Sequence, residues 1–206
     1  MKLDIPDRDF DAYLFDCDGT LVNTMPLHYV AWTEGLESQN APFHFSEDQF
    51  YGYAGIREQQ IVELLNKEHG AEVDPEAVVA QKLSSFARLM HQVEIIPAVV
   101  DYARSLHGKK PLAVVSGSEA PHVEECLRRT GISELFDTVV TPADVAPGRG
   151  KPAPDMFLLA AERLGANPSE CLVFEDGQSG IDAARAGGMA SVLVSRIPLS
   201  GNVTGV

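Results

Sequence analysis

Residues 12–20 read Ala12-Tyr13-Leu14-Phe15-Asp16-Cys17-Asp18-Gly19-Thr20. Four apolar side chains in a row, without alternation, suit a strand buried on both faces, and the abrupt change to Asp, Asp and Gly ends it in a polar loop. The pattern recurs. Residues 112–115 end in Ser116-Gly117-Ser118, 138–140 in Thr141-Pro142, 171–174 in Glu175-Asp176-Gly177, and 190–194 in Ser195. Between them lie helical patterns: 121–130 closed by Gly131, 155–164 closed by Gly165 with Phe157, Leu158, Ala161 and Leu164 on one face, and 179–186. Buried strands alternating with helices imply an α/β core whose parallel sheet is covered on both faces.

Residues 24–91 break that rhythm and offer only helix signals. Pro26 suits a first turn, Ile61, Leu64 and Leu65 follow, and Asp74-Pro75-Glu76 opens a segment with Val79, Leu83, Phe86 and Met90 at intervals of 4, 3 and 4. An all-helical insert with its own small core, including Trp32, is expected between the first two strands. Spliced in just after the two aspartates, it is expected over the carboxyl ends of the strands, where open α/β sheets bind ligands. The expected partition is a core of residues 1–22 and 95–206 and an inserted cap of residues 23–94. The crossings near 22–25 and 94–97 are short enough to act as hinges.

Composition narrows the partners. The 206 residues hold 16 Lys plus Arg against 30 Asp plus Glu, a net charge of −14 with a pI of about 4.7. Such a chain repels nucleic acid and anionic membrane surfaces. With 45% hydrophobic and 22% charged residues it is globular, not disordered. The first ten residues carry Lys2, Asp4, Asp7 and Arg8 and lack the apolar run of a signal peptide. No stretch approaches the roughly 18 apolar residues of a membrane helix. Cys17, Cys126 and Cys171 lie far apart, and neither they nor the six histidines show zinc-ligand spacing. A cytoplasmic monomer is the expectation.

The strand ends supply the chemistry. Asp16 and Asp18 follow the first strand, Ser116 the second, Lys151 stands in a stiff Pro-rich turn at 147–154, and Glu175 and Asp176 follow the fourth strand. In a parallel sheet these ends converge on one edge. Clustered carboxylates need a cation, and oxygen ligands without His or Cys point to magnesium. Phosphoryl transfer needs those parts: a metal, donors for the phosphate oxygens, a nucleophile in line and an acid for the leaving group. Asp16 can attack phosphorus to give an acyl phosphate that water cleaves, and Asp18 can protonate the leaving alkoxide and later take a proton from water. Gly19 lets the chain turn beneath the phosphate, and Ser116 and Lys151 can hold the transferring group. Taken singly, each residue is also an ordinary turn, cap or solvated loop residue; the joint occurrence, in this order at strand ends, favours the catalytic reading. An acidic receiver or binding module also collects carboxylates at strand ends, but it leaves Asp18 and the insert unexplained.

At these residues the sequence resembles the haloacid dehalogenase superfamily of phosphotransferases, over nearly the whole chain. Its four motifs are matched by Phe15-Asp16-Cys17-Asp18-Gly19-Thr20-Leu21, Val115-Ser116-Gly117-Ser118, Gly150-Lys151-Pro152-Ala153-Pro154-Asp155, and Phe174-Glu175-Asp176-Gly177 with Gly180-Ile181. The resemblance implies a Rossmann-like core with Asp16 as nucleophile and Asp18 as acid/base. It also implies phosphate binding at Ser116, Gly117 and Lys151. Magnesium would be held by the carboxylates of Asp16 and Asp176 and the backbone carbonyl of Asp18, with Glu175 on metal-bound water. The insert and the Glu-Asp pair are similar to the β-phosphoglucomutase-like branch, which includes sugar-phosphate phosphatases of the fructose-1-phosphate type. There the cap presents a His, an Arg and a Lys to the substrate; His28, Arg57 in Gly55-Ile56-Arg57-Glu58, and Lys82 stand at matching positions. The mutases carry a Lys-Asn pair after motif two that grips a distal phosphate, whereas this chain has Glu119-Ala120. An acidic residue there opposes a bisphosphate and favours hydrolysis of a sugar monophosphate over isomerisation, the alternative.

Overall fold

The structure, a computed structural model, describes residues 1–53, 56–197 and 199. The five apolar runs form five strands: β1 (Ala12–Phe15), β2 (Leu112–Val115), β3 (Thr138–Val140), β4 (Cys171–Glu175) and β5 (Ala190–Leu193). All pairings are parallel, in the order β3-β2-β1-β4-β5. Tyr13 of the central β1 registers with Leu112 on one side and Leu172 on the other. The chain winds outward from β1 to β3, then returns to β1's other edge for β4 and β5. The strand order therefore reverses between β1 and β4, and doubly wound sheets bind ligands at the carboxyl ends beside such a switch.

Eight α-helices accompany the sheet among the described residues: α1 (Met25–Ser38), α2 (Glu47–Gly52), α3 (Glu58–His69), α4 (Pro75–Leu89), α5 (Pro97–Leu106), α6 (Ala120–Thr130), α7 (Asp155–Arg163) and α8 (Gln178–Ala186). The chain divides into two compact units, Met1–Asn23 with Glu94–Ile197, and residues 24–93 with Leu199, which was assigned to the core but is buried in the helical unit's cluster. Two expectations fall partly elsewhere: residues 198 and 200–206, assigned to the core, and Gly55, quoted before Arg57, lie outside the described residues.

In the first unit every residue of β1, β2 and β4 is buried, as continuous apolar runs require. Ala12, Leu14, Ala113, Val115 and Val173 pack on one face against Met156, Phe157, Ala160 and Ala161 of α7 and Ala183 and Ala184 of α8. Alternate residues face the other side. Phe15 stacks on Phe174 with ring centroids 4.7 Å apart, and Tyr13 meets Tyr102 of α5 edge-on at 6.0 Å. The apolar face expected for residues 155–164 holds at Phe157, Ala161 and the half-buried Leu164, but Leu158 is 38% exposed and Met156 and Ala160 are buried in its place.

The second unit is helical and has its own core of Trp32, Leu36, Phe45, Phe50, Ile61 and Leu65. Asp74 caps α4, its carboxylate accepting from Glu76 N–H, with Pro75 in the first turn as the sequence indicated. The stripe on α4 is corrected in the same way as that of α7. Leu83 is 52% exposed, and Lys82, next to it, is buried among Val78, Val79 and Phe86. Helices α2 and α5 were not anticipated. A capping box starts α2: Ser46 Oγ accepts from Gln49 N–H while Gln49 Oε1 accepts from Ser46 N–H.

Candidate active site

Burial and hydrogen bonding organise the carboxyl ends of β1, β2 and β4 around one ammonium. Lys151 sits in the 147–154 turn, where its peptide bond to Pro152 is cis. Its Nζ lies 2.7 Å from Asp16 Oδ1, 2.8 Å from the carbonyl of Val115 and 2.5 Å from Glu175 Oε1. All three N–H donors of the ammonium are thus used, each on the end of a different strand. Glu175 is fixed further by its other oxygen, which accepts from Gly177 N–H at 2.9 Å. Space for Glu175 depends on Gly180 in the first turn of α8, because a Cβ there would lie 1.9 Å from Glu175 Oε1.

Asp18 is held separately. Ser118 Oγ donates to its Oδ2 at 2.7 Å, and His122 Nε2 meets its Oδ1 at 2.8 Å. Ser116, buried at the end of β2, accepts the Ser118 N–H on its hydroxyl and so shapes the turn that carries Ser118. Gly117 is exposed in that turn. Gly19, with φ +84°, closes the loop against Asp176; a Cβ at Gly19 would stand 2.3 Å from Asp176 Oδ2.

Carboxylate oxygens of Asp16, Glu175 and Asp176 lie within 4.8 Å of one another. Burial pushes the Asp16 carboxyl well above the ordinary range, with Glu175 and Asp176 adding to the rise and Lys151 opposing it. Burial and the neighbouring Glu175 raise Asp176 to about 7. Lys151 is raised because Asp16 and Glu175 outweigh its own burial. One ammonium against three carboxylates leaves two negative charges, which one divalent cation cancels. The donors are all hard oxygens and the Gly19 cradle leaves no room for a side chain, so the residues fit magnesium.

These shifts have a measurable consequence. The native state keeps the Asp176 proton up to about pH 7, whereas the unfolded chain releases it near 3.8, so the native state binds more protons between those values. Stability of the metal-free protein therefore falls as pH rises from 4 to 7, by up to about 4 kcal/mol at about 1.36 kcal/mol per unit. Magnesium needs the deprotonated carboxylates, so it should raise Tm more at pH 7.5 than at pH 5. Thermal melts with and without Mg²⁺ at the two pH values check both signs.

Cap candidates expected from the sequence lie in the helical unit. His28 on α1 stacks on Phe86 with centroids 4.0 Å apart. Lys82 is 4% exposed; its Nζ is 2.5 Å from Glu58 Oε1 and 5.8 Å from the centroid of Trp32. Arg57 is exposed at the start of α3, its carbonyl accepting from Ile61 N–H.

His122 and Cys126 were missed. They stand four apart on α6 with Cys126 Sγ 3.6 Å from His122 Nε2. That His-x-x-x-Cys pair is visible in the sequence as two residues on one helix face. Burial opposes a charge on His122, but its hydrogen bonds to Asp18 and Cys126 raise it to about 10. Hydrogen bonds from Cys17 and His122 lower Cys126 to about 7 against the effect of burial.

No helix among the described residues is long and apolar enough to cross a membrane. A family model for haloacid dehalogenase-like hydrolases matches residues 10–188. Fructose-1-phosphate phosphatase YqaB of Escherichia coli is 38% identical over 184 residues, covering 89% of this chain and 95% of the relative. β-Phosphoglucomutase of Bacillus subtilis is 28% identical over 193 residues, covering 90% of this chain and 83% of the relative. The crystal structure of a HAD family hydrolase from Deinococcus radiodurans, with bound phosphate and sodium, superposes with a TM-score of 0.75 at 31% identity, covering 90% of this chain and 80% of that one. With the sheet order, the Lys151-centred site and a match over most of its length, the chain belongs to the haloacid dehalogenase-like hydrolases.

Proposed function

We propose that this hydrolase is a magnesium-dependent phosphatase that removes phosphate from a small sugar monophosphate through an aspartyl phosphate on Asp16. The observation that carries the reading is the Lys151 ammonium set between Asp16 and Glu175, with a second aspartate, Asp18, held apart by Ser118 and His122. Lys151 orients Asp16 by its Oδ1 and presents the other oxygen to phosphorus. Ser116 and the Gly117 amide take the phosphoryl oxygens, and Lys151, exchanging one of its present acceptors for a phosphoryl oxygen, neutralises charge as it develops. Asp18 gives its proton to the leaving sugar oxygen, then takes one from the water that cleaves the acyl phosphate. Asp16, Asp176 and the Asp18 carbonyl would hold magnesium, with Glu175 on its water, and the ion would supply positive charge to the phosphate oxygens. The proposed substrate contacts of the helical unit are His28, Arg57 and Lys82.

The sugar-phosphate class is supported by the name of the E. coli relative. Isomerisation is the rival, supported by the B. subtilis mutase. Glu119 favours hydrolysis: it is exposed at the start of α6, an acid where a bisphosphate's second phosphate would dock. Incubation with Mg²⁺ and hexose 1- and 6-phosphates, with and without glucose 1,6-bisphosphate, should release free phosphate; isomerised sugar with negligible phosphate would contradict hydrolysis. Asp18→Asn should lose roughly 10²–10⁴-fold on these sugar phosphates, the usual worth of a general acid, and markedly less on p-nitrophenyl phosphate, whose leaving group needs little protonation.

A further inference from the structure

The groups around Asp18 differ in kind from the carboxylates beside Lys151. Cys17 Sγ, Cys126 Sγ and a carboxylate oxygen of Asp18 lie within 4.8 Å of one another. His122 Nε2 is 2.8 Å from Asp18 Oδ1 and 3.6 Å from Cys126 Sγ. Two thiols, an imidazole and a carboxylate are the donor set of a borderline-soft cation, not of magnesium. With Zn–S of about 2.3 Å and Zn–N of about 2.0–2.1 Å at the tetrahedral angle, a sulfur and a nitrogen ligand stand about 3.6 Å apart. Cys126 and His122 already have that spacing, and i, i+4 on one helix maintains it. Both cysteines are buried, whereas the side chains of Asp18 and His122 are 14% and 18% exposed and give an ion its way in.

We propose that Cys17, Asp18, His122 and Cys126 form a second metal site, separate from the magnesium carboxylates, that takes Zn²⁺ or a similar thiophilic divalent cation. Binding replaces the Asp18–His122 and Cys17–Cys126 hydrogen bonds with metal bonds. The imidazole gives up the proton at Nε2, each coordinating thiol gives up its own, and these protons pass to solvent. The site's consequence for turnover rests on the reading of Asp18 above. A carboxylate coordinated to zinc cannot hand a proton to the leaving sugar, so Zn²⁺ stops the reaction that Mg²⁺ supports.

Cobalt and zinc titrations of the whole protein in saturating Mg²⁺, which occupies the oxygen cluster, test this. One Co²⁺ per chain should bind with a near-ultraviolet thiolate-to-cobalt charge-transfer band, and one equivalent of Zn²⁺ should bleach it. Cys126→Ser leaves one thiolate, Cys17, and should cut that band by about half or more and weaken Zn²⁺ by at least the roughly tenfold that losing even a ligand's supporting partner costs. His122→Asn, which keeps both thiols, should weaken Zn²⁺ comparably, so the result does not hang on one variant folding. Cys171→Ser, at the start of β4, should change neither. Cobalt binding without a sulfur band, a band left at full strength by Cys126→Ser in a protein that melts normally, or no binding overturns the site. Binding as described with phosphate release undiminished by Zn²⁺ supports the site and counts instead against Asp18 as the acid.

Discussion

Asp16→Asn is expected to lower kcat for phosphate release by about 10⁴-fold or more, the scale of loss when an enzyme's nucleophile is removed. An amide matches the carboxylate in size, and Asp16 is 6% exposed within a packed strand end. The fold should therefore survive. Lys151 would keep two of its three acceptors, the Val115 carbonyl and Glu175. Burial and two neighbouring acids already work against a charge at Asp16, so neutralising it removes a strained ion as well as an ion pair. The thermal midpoint of the metal-free variant should stay near that of the parent while activity disappears. A collapse of both together would point to a structural role for Asp16.

Lys151→Met is expected to be the most destabilising single change in the core site. The ammonium is 7% exposed and satisfies Asp16 and Glu175, and removing it leaves two buried carboxylates beside Asp176 with no cation. Breaking a buried pair from one side costs about 3–5 kcal/mol, or roughly 6–20 °C in Tm at about 2–4 °C per kcal/mol for a chain of this size. Activity should fall with it, since the same group neutralises the phosphoryl oxygens. Mg²⁺ should recover part of the lost Tm, because a divalent ion answers the same uncompensated charge. An unchanged melt would show that the three carboxyl groups carry protons and need no partner.

The strands were legible because a strand covered on both faces has no polar residue to interrupt it, and β1 to β5 follow the apolar runs within a residue. The site was legible because its residues sit where those runs stop. Helix faces were less so. On α4 the stripe was assigned through Leu83, but the helix buries Lys82, whose ammonium pairs with Glu58 and lies 5.8 and 5.5 Å from the ring centroids of Trp32 and Phe86. A hydropathy pattern counts lysine as exposed and cannot foresee a partner 24 residues away. Six-residue α2 is too short to show a period. Helix α5 has buried Val99, Val100 and Ala103 but begins in a segment read as a hinge. The pairing of His122 with Asp18 was invisible for a different reason: it spans 104 residues of sequence, and the β2–α6 turn brings the two together.

Chemical trapping of the enzyme during turnover tests the role given to Asp16. Acid quenching with Mg²⁺ and a hydrolysed sugar phosphate, followed by peptide mass spectrometry, should find a hydroxylamine-labile phosphate on the peptide that holds Asp16, absent from Asp16→Asn. Full-rate phosphate release with no such adduct, or release that persists in Asp16→Asn, would contradict covalent catalysis by this residue.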